Sequence, residues 1–297
     1  MIIGICSTRN HRYHPNRRLR EAASQLGHEA RLLHPGKYAI GMEGVELTID
    51  PVRGSFAADV DLPRIGASIK EYGLSMIRHF EMLGIPVVNP FQSILLASNK
   101  FLSLQALSKN GIPVPDSQYA SNWFNFKRAA ARLGGYPLVA KESRSRQGKG
   151  VFLLKSPAGA RQLLEGVLGQ GRGVLLQRFI PVEGRRDIRI VVAGDRSLGA
   201  MSLTPGKGDF RANIHLGGRA KALKPTKEML KLAVKSTQTL GLDISGVDMV
   251  EVEGRGFKVM EVNYSPGFRG MEKCTGRDIA IEIIKYMTKV GKRSLCK

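Results

Sequence analysis

The chain has 297 residues, 42% of them hydrophobic, enough to bury a large core and to divide into two or three domains. Its 46 Lys and Arg against 25 Asp and Glu leave a net charge of +21, which calls for an anionic partner: nucleotide, polyanionic peptide, nucleic acid or ribosome. No apolar run approaches the roughly 20 residues that span a bilayer, so no membrane partner is expected, and three widely spaced cysteines without metal spacing, Cys6, Cys274 and Cys296, fit free thiols in a reducing, cytoplasmic compartment. The apolar start at 1–6 is short and has no basic segment before it, so it reads as a buried strand and not as a signal peptide. Residues 16–26 have helical periodicity with Gly27 as a stop, 30–33 and 60–65 read as strands, 68–83 as a helix ending at Gly84, and 85–88 as a short strand before Asn89-Pro90. This alternation predicts a small parallel sheet with helices on its faces. The basic loop at 9–18 follows the first strand, at the edge where such sheets bind ligands. An anion contact and a solvated loop fit it equally well.

From Pro90 the pattern changes. A helix at 98–109 carries Lys100 in its first turn, where a cation opposes the helix dipole unless a bound phosphate reverses the balance. A helix at 123–133 closes on Gly134-Gly135, and a strand at 137–141 ends in Lys141. The Ser- and Gly-rich loop that follows holds Ser143, Gly148 and Gly150 with Arg144, Arg146 and Lys149, a composition that can set backbone N–H groups against phosphate oxygens. Strands follow at 151–154 and 174–181, the second running into Pro181 and leaving backbone groups suited to an adenine edge. A further strand at 185–192 puts Asp187 and Arg189 on one face. Arg189, Arg211 and Lys141 are expected to crowd around a cavity whose repulsion a triphosphate would resolve.

The most informative segment is a Val- and Met-rich hairpin turning at Gly254-Arg255. With that turn Asp248 faces Glu261 and Gly246 faces Asn263, so three oxygen ligands converge on one face beside a small residue. Paired carboxylates on an apolar sheet repel unless a cation sits between them, and oxygen-only ligands suit Mg²⁺. An ordinary hairpin with one solvated face is the competing reading.

In this order the segments resemble the ATP-grasp superfamily, and most closely the RimK-type glutamate ligases, which extend the C-terminus of a ribosomal protein. The likeness covers nearly the whole chain, through Leu62-Pro63-Arg64-Ile65-Gly66, Asn99-Lys100, Lys141, Gln177-Arg178-Phe179-Ile180, Asp187-Ile188-Arg189, Phe210-Arg211-Ala212-Asn213, Gly246-Val247-Asp248, Met260-Glu261-Val262-Asn263 and Ser265-Pro266-Gly267. It is most specific between Asp248 and Lys273. The resemblance implies a Rossmann-like α/β domain at 1–89, then two α+β subdomains at 90–180 and 181–297 that grip ATP between their sheets. It places Mg²⁺ or Mn²⁺, two ions, on Asp248, Glu261 and Asn263. Lys100, Lys141, Ser143, Gly148 and Gly150 would meet phosphates, the Arg178-Phe179 backbone the adenine, and Asp187 the nucleotide. Arg189, Arg211 and Asn213 would act in catalysis, the last two at the phosphates and the reacting carboxylate. Arg64, Arg269 and His215 would contact an anionic acceptor.

The implied reaction is ADP-forming: γ-phosphoryl transfer to a carboxylate, then attack by the amine of glutamate or a related amino acid. The implied acceptor is a protein or peptide C-terminus, or else a small coenzyme such as a pterin or deazaflavin, and a homo-oligomer is compatible. Arg178 and Arg269 stand where the family tends to be acidic, which bears on the acceptor and leaves the metal set intact. A non-catalytic ribosome- or RNA-binding module has no use for opposed acids, and aromatics, at 6%, are not interleaved with the basic runs as stacking platforms would be.

Overall fold

The computed structural model describes every residue except 53, 66–70, 143–149, 169–172, 213–216 and 296–297, and none of these is Asp or Glu. The chain begins with β1 (Ile2–Cys6), α1 (His14–Gln25) and β2 (Glu29–Leu33). A separate antiparallel hairpin of β3 (Tyr38–Glu43) and β4 (Glu46–Pro51), not foreseen in the sequence, precedes β5 (Val60–Pro63). β1 lies between β2 and β5 with both pairings parallel, as the alternation predicts.

After α2 (Glu71–Met82) the strand expected at 85–88 shrinks to a single bridge. Asp61 donates its N–H to Pro86 (2.9 Å) and accepts from Val88 (2.9 Å). The pairing stops there because Asn89 turns away, buried, to hydrogen-bond a different sheet. Its amide nitrogen donates to the carbonyls of Ile244 (2.8 Å) and Tyr264 (2.7 Å), and its oxygen accepts from the N–H groups of Asp243 and Ile244, both at 2.7 Å. Two donors and two acceptor sites are all that a side-chain amide has, so Asn89 is a saturated clamp between the first unit and the last.

Next come α3 (Phe91–Ala97), also not foreseen, and α4 (Lys100–Lys109), whose N-cap Asn99 accepts from Phe101 and Leu102 N–H. A four-stranded antiparallel sheet follows, built from β6 (Ser117–Ala120), α5 (Trp123–Arg132), β7 (Leu138–Glu142), β8 (Val151–Leu154), α6 (Pro157–Leu168) and β9 (Val174–Arg178), in strand order β6-β9-β7-β8. Period-two alternation sends Leu138, Ala140, Val174 and Leu176 under the two helices. Val139, Lys141 and Gln177 go to the other face.

The last unit holds β10 (Arg185–Ala193), β11 (Arg196–Thr204), β12 (Arg219–Ala222), α7 (Lys227–Thr239), β13 (Ile244–Val252) and β14 (Gly256–Asn263), in antiparallel order β12-β11-β10-β13-β14. One face carries Ile188, Ile190, Val247, Met249, Val259 and Val262 into a core with α4 and α7. The other faces the four-stranded sheet across a cleft. After α8 (Arg269–Thr275), the long α9 (Ile279–Leu295) returns to the first unit and packs Ile283, Ile284 and Met287 against Ile3, Ile5, Leu19 and Leu62. Gly291 permits that approach, since a Cβ there would stand 2.3 Å from the Met1 side chain and 3.4 Å from Val60. Among the described residues no helix is long and apolar enough to cross a membrane.

Asp61 is the odd residue of the first unit. It is fully buried, and neither carboxylate oxygen has a hydrogen-bond partner among the described residues. Burial pushes its carboxyl up to about 7, and the nearby Cys6 and Leu62 backbone offsets only part of that. A raised folded-state pKa means stability that is complete below the unfolded value and is lost as pH rises through about 7. Asp61→Asn should therefore gain on wild type between pH 4.5 and pH 8, by on the order of 2–4 kcal/mol in urea unfolding. A gap that stays constant with pH would show that Asp61 is accommodated as a carboxylate.

Candidate active site

The acids sit on β13 and β14, and their placement depends on a bulge. The turn is one residue longer than the sequence suggests: Val252 pairs with Gly256. Continued without a break, that register would set Glu261 against Val247, on the core face. The ladder instead slips at Met260, so that Met249 pairs with Val259 while Asp248 pairs with Glu261. One extra residue reverses the facing of all that follows it. Val259 and Val262 thus both stay in the core, and Glu261 and Asn263 turn to the cleft opposite Asp248 and Gly246. Gly246 keeps the corner open, since a Cβ there would lie 2.8 Å from Pro266.

Each acid is held by a cation from another element. Arg189, opposite Asp248 on β10, makes a two-pronged contact with it, Nε to Oδ1 at 2.5 Å and Nη2 to Oδ2 at 2.6 Å. Lys100, in the first turn of α4, reaches Glu261 Oε1 at 3.1 Å. Asn263 donates to Asp248 at 3.1 Å. Burial alone would raise the Glu261 carboxyl, but Lys100, Lys141 and Arg189 outweigh it and hold the group below its ordinary value. Desolvation pushes the Lys141 ammonium down to about 8, against the pull of Glu261. The expected crowding of bare cations is therefore corrected. Arg189 has Asp248, Arg211 has Asp209 (2.8 Å), and Lys141 lies in the field of Glu261. The reason is that each basic side chain meets an acid from its own or a neighbouring segment.

These groups line a cavity of about 430 Å³ between the two sheets, within the range of small-ligand sites. Gln177, Arg178, Phe179 and Ile180 line one end. The Arg178 side chain turns to Asp116 (3.0 Å), and its backbone N–H donates to the carbonyl of the same residue (3.0 Å). Gln177 is buried, donates to Ser117 (3.0 Å), and its amide oxygen has no partner among the described residues. Asp187 pairs with Arg185 at 3.0 Å, and burial raises its carboxyl. Arg185 was not singled out in the sequence, yet it also donates to the carbonyls of Ile180 (2.6 Å) and Phe210, tying the strand end to the segment before Arg211. At the other end Thr8, Arg9, Tyr13 and Arg64 of the first unit meet Ser265, Pro266 and Gly267. Gly150, just before β8, has φ 71°. Arg269 is exposed at the start of α8, outside the cavity lining. Ser143, Gly148, Asn213 and His215 lie outside the described residues.

Two opposed sheets with acids on one, a lysine on the other and a nucleotide-sized cavity between them define an ATP-grasp ligase. Residues 1–94 match the model of the RimK pre-ATP-grasp domain and residues 97–287 that of the RimK-like ATP-grasp domain. The chain belongs to the RimK-type ATP-grasp ligase family. It is 39% identical to a probable alpha-L-glutamate ligase of Syntrophotalea carbinolica over 97% of this chain and 96% of that one. Its fold is similar to a RimK domain ATP-grasp protein of Sphaerobacter thermophilus, with TM-score 0.76, 26% identity and coverage of 97% and 99% of the two chains. It is also similar to the ATP-grasp ligase PsnB, solved with a minimal precursor, Mg and ADP, with TM-score 0.73, 18% identity and coverage of 98% and 97%.

Arg185 offers a direct check on this geometry. Its side chain is only 8% exposed and serves three acceptors. Arg185→Ala should cost about 3 kcal/mol in unfolding free energy, the scale for breaking one partner of a buried pair. It should also weaken binding of an ATP analogue by tenfold or more in calorimetry. Arg185→Lys, which keeps the charge without the fork, should fall between.

Proposed function

We propose that this chain is an ATP-dependent ligase that joins the amine of L-glutamate to the carboxylate of an anionic acceptor, the C-terminus of a protein or peptide, through an acyl phosphate. The observation that carries the reading is the opposed pair Asp248 and Glu261, turned to the cleft by a bulge and held there by Arg189 and Lys100. The relatives at 38–39% identity are named as probable alpha-L-glutamate ligases, which supports glutamate as the amino acid.

Asp248, Glu261 and Asn263 fit a hard divalent cation: all three can offer oxygen, and both carboxylates already stand against positive charge. Mg²⁺ or Mn²⁺ bound there would neutralise phosphate oxygens during transfer. Arg178 and Phe179 would meet the adenine with backbone groups, and the spare Gln177 oxygen would accept from its amino group. Lys100, Lys141 and Gly150 would face the phosphates, with Ser143 and Gly148 in the same loop, and Asp187 would help to hold the nucleotide. Arg189, Arg211 and Asn213 would stabilise the charge that builds on the transferring group. A carboxylate oxygen of the acceptor takes the γ-phosphoryl as its bond to the β-phosphate oxygen breaks, releasing ADP. The glutamate nitrogen then bonds to the acyl carbon, phosphate leaves, and the nitrogen's proton passes to phosphate or solvent. The chain's contribution is positioning and charge. Arg269 and His215 would lie toward the acceptor, and a net charge of +21 would draw in an acidic chain.

Incubation with Mg²⁺-ATP, glutamate and a panel of acidic peptides should yield ADP and peptides heavier by one or more glutamate residues in mass spectrometry. ADP release that depends on none of the peptides would overturn the acceptor class. Glu261→Gln and Asp248→Asn should lower ADP formation by at least a hundredfold in folded protein, and wild-type turnover in the double variant would remove the metal assignment. The apparent KM for the peptide should rise from low to physiological salt while that for ATP moves little.

A further inference from the structure

One end of the cavity is built around a charge without a counter-charge. Arg64 is 7% exposed, yet among the described residues no carboxylate pairs with it. All Asp and Glu of the chain are described residues. Its guanidinium donates from Nη2 to the Pro266 carbonyl at 2.8 Å and lies over the Phe268 ring at 5.8 Å, while Nε is buried and has no partner among the described residues. Burial lowers its pKa to about 10, still far above neutrality, so it is charged. Buried cations are ordinarily paired, and one facing a cavity alone implies a partner supplied from outside the chain.

Its surroundings favour an anion as well. Arg9 and Tyr13 line the same end, with the Arg9 guanidinium over the Tyr13 ring at 5.9 Å. α1 starts directly after Tyr13 with no side-chain cap and no acid of its own in the first turn, and the one carboxylate beside that start among the described ion pairs, Glu272, stands 3.5 Å from the His14 ring. The loop is held in place by the buried Asn16, which donates to Ser7 Oγ (3.1 Å) and to the carbonyls of Arg9 (2.9 Å) and Asn10 (3.1 Å).

We propose that Arg64, with Arg9, Thr8, Tyr13 and the start of α1, forms a carboxylate subsite on the first unit that holds a non-reacting carboxylate of a substrate. The proposal rests on the ligase reading above. The reacting carboxylate must meet the phosphate near Lys141 and Asp248, so a carboxylate held by Arg64 is kept from being phosphorylated. Two sources share this chemistry: the incoming glutamate, through a carboxylate of its own, and the acidic tail of the acceptor.

The test is binding and kinetics of Arg64→Gln and Arg9→Gln, the second of which leaves the Arg64–Pro266 bond in place. Calorimetry with glutamate or an acidic peptide, in the presence of Mg²⁺ and a non-hydrolysable ATP analogue, reads the subsite without turnover. Absence of wild-type ADP release with glutamate would therefore count against the ligase reading alone. In folded Arg64→Gln the affinity for one of the two should fall at least tenfold while that for the ATP analogue stays within twofold. Arg9→Gln should shift the same ligand by a smaller factor, and Arg64→Lys should restore part of the loss. Loss of glutamate binding together with loss of the preference for glutamate over glutamine identifies the amino acid as the source, and loss of peptide binding alone identifies the acceptor. If neither affinity changes, or if the ATP analogue weakens as much as the substrates, the subsite does not exist.

Discussion

Two carboxylates facing each other across a hairpin on an apolar sheet form an arrangement that a fold must answer with positive charge. Here three parts of the chain answer it. Arg189 comes from the neighbouring strand, Lys100 from the first turn of α4, and Lys141 from the opposite sheet. The acids of the last unit thereby bring residues far apart in sequence to one place. A ligand rich in phosphate and metal would enter a site whose two acids are already paired, exchanging internal ion pairs for its own. Such a site stays folded without ligand and does not lose its electrostatic grip when one arrives.

Polar groups buried around the cleft fall into two kinds. Asn89 has used all of its hydrogen-bonding capacity, and its work is to clamp the first unit to the last sheet. Arg64 and Gln177 have not, and both line the cavity. The saturated group ties two units together, and the other two keep hydrogen-bonding capacity that no described residue meets, which is costly for a buried donor or acceptor.

The sequence revealed the architecture where periodicity is strong and chemistry is out of place. The parallel opening unit was visible in its strand–helix alternation, and the acids of the hairpin in their contrast with Val and Met. The pairing of Asp248 with Glu261 was reached through a turn one residue too short, an error that the slip at Met260 cancels. Nothing in a Val-Met-Glu run announces a bulge, because its cause is the need to keep Val259 and Val262 in one core. The role of Arg185 is not legible in the sequence because two of its three partners are the carbonyls of Ile180 and Phe210, which no side-chain pattern records. The expected strand at 85–88 failed because Asn89 is drawn to a sheet assembled about 150 residues later, beyond the reach of local propensity.

α9 gives the molecule an order of assembly. β1 and β5 are made long before α9, but their face with Ile3, Ile5 and Leu62 is completed by Ile283, Ile284 and Met287 of that helix. A nascent chain growing at roughly 5–20 residues per second would hold that apolar face uncovered for on the order of half a minute. The opening domain is thus not a module that matures alone during synthesis. A chain cut short before α9 would expose the same kind of surface that chaperones and proteases recognise in unfinished proteins.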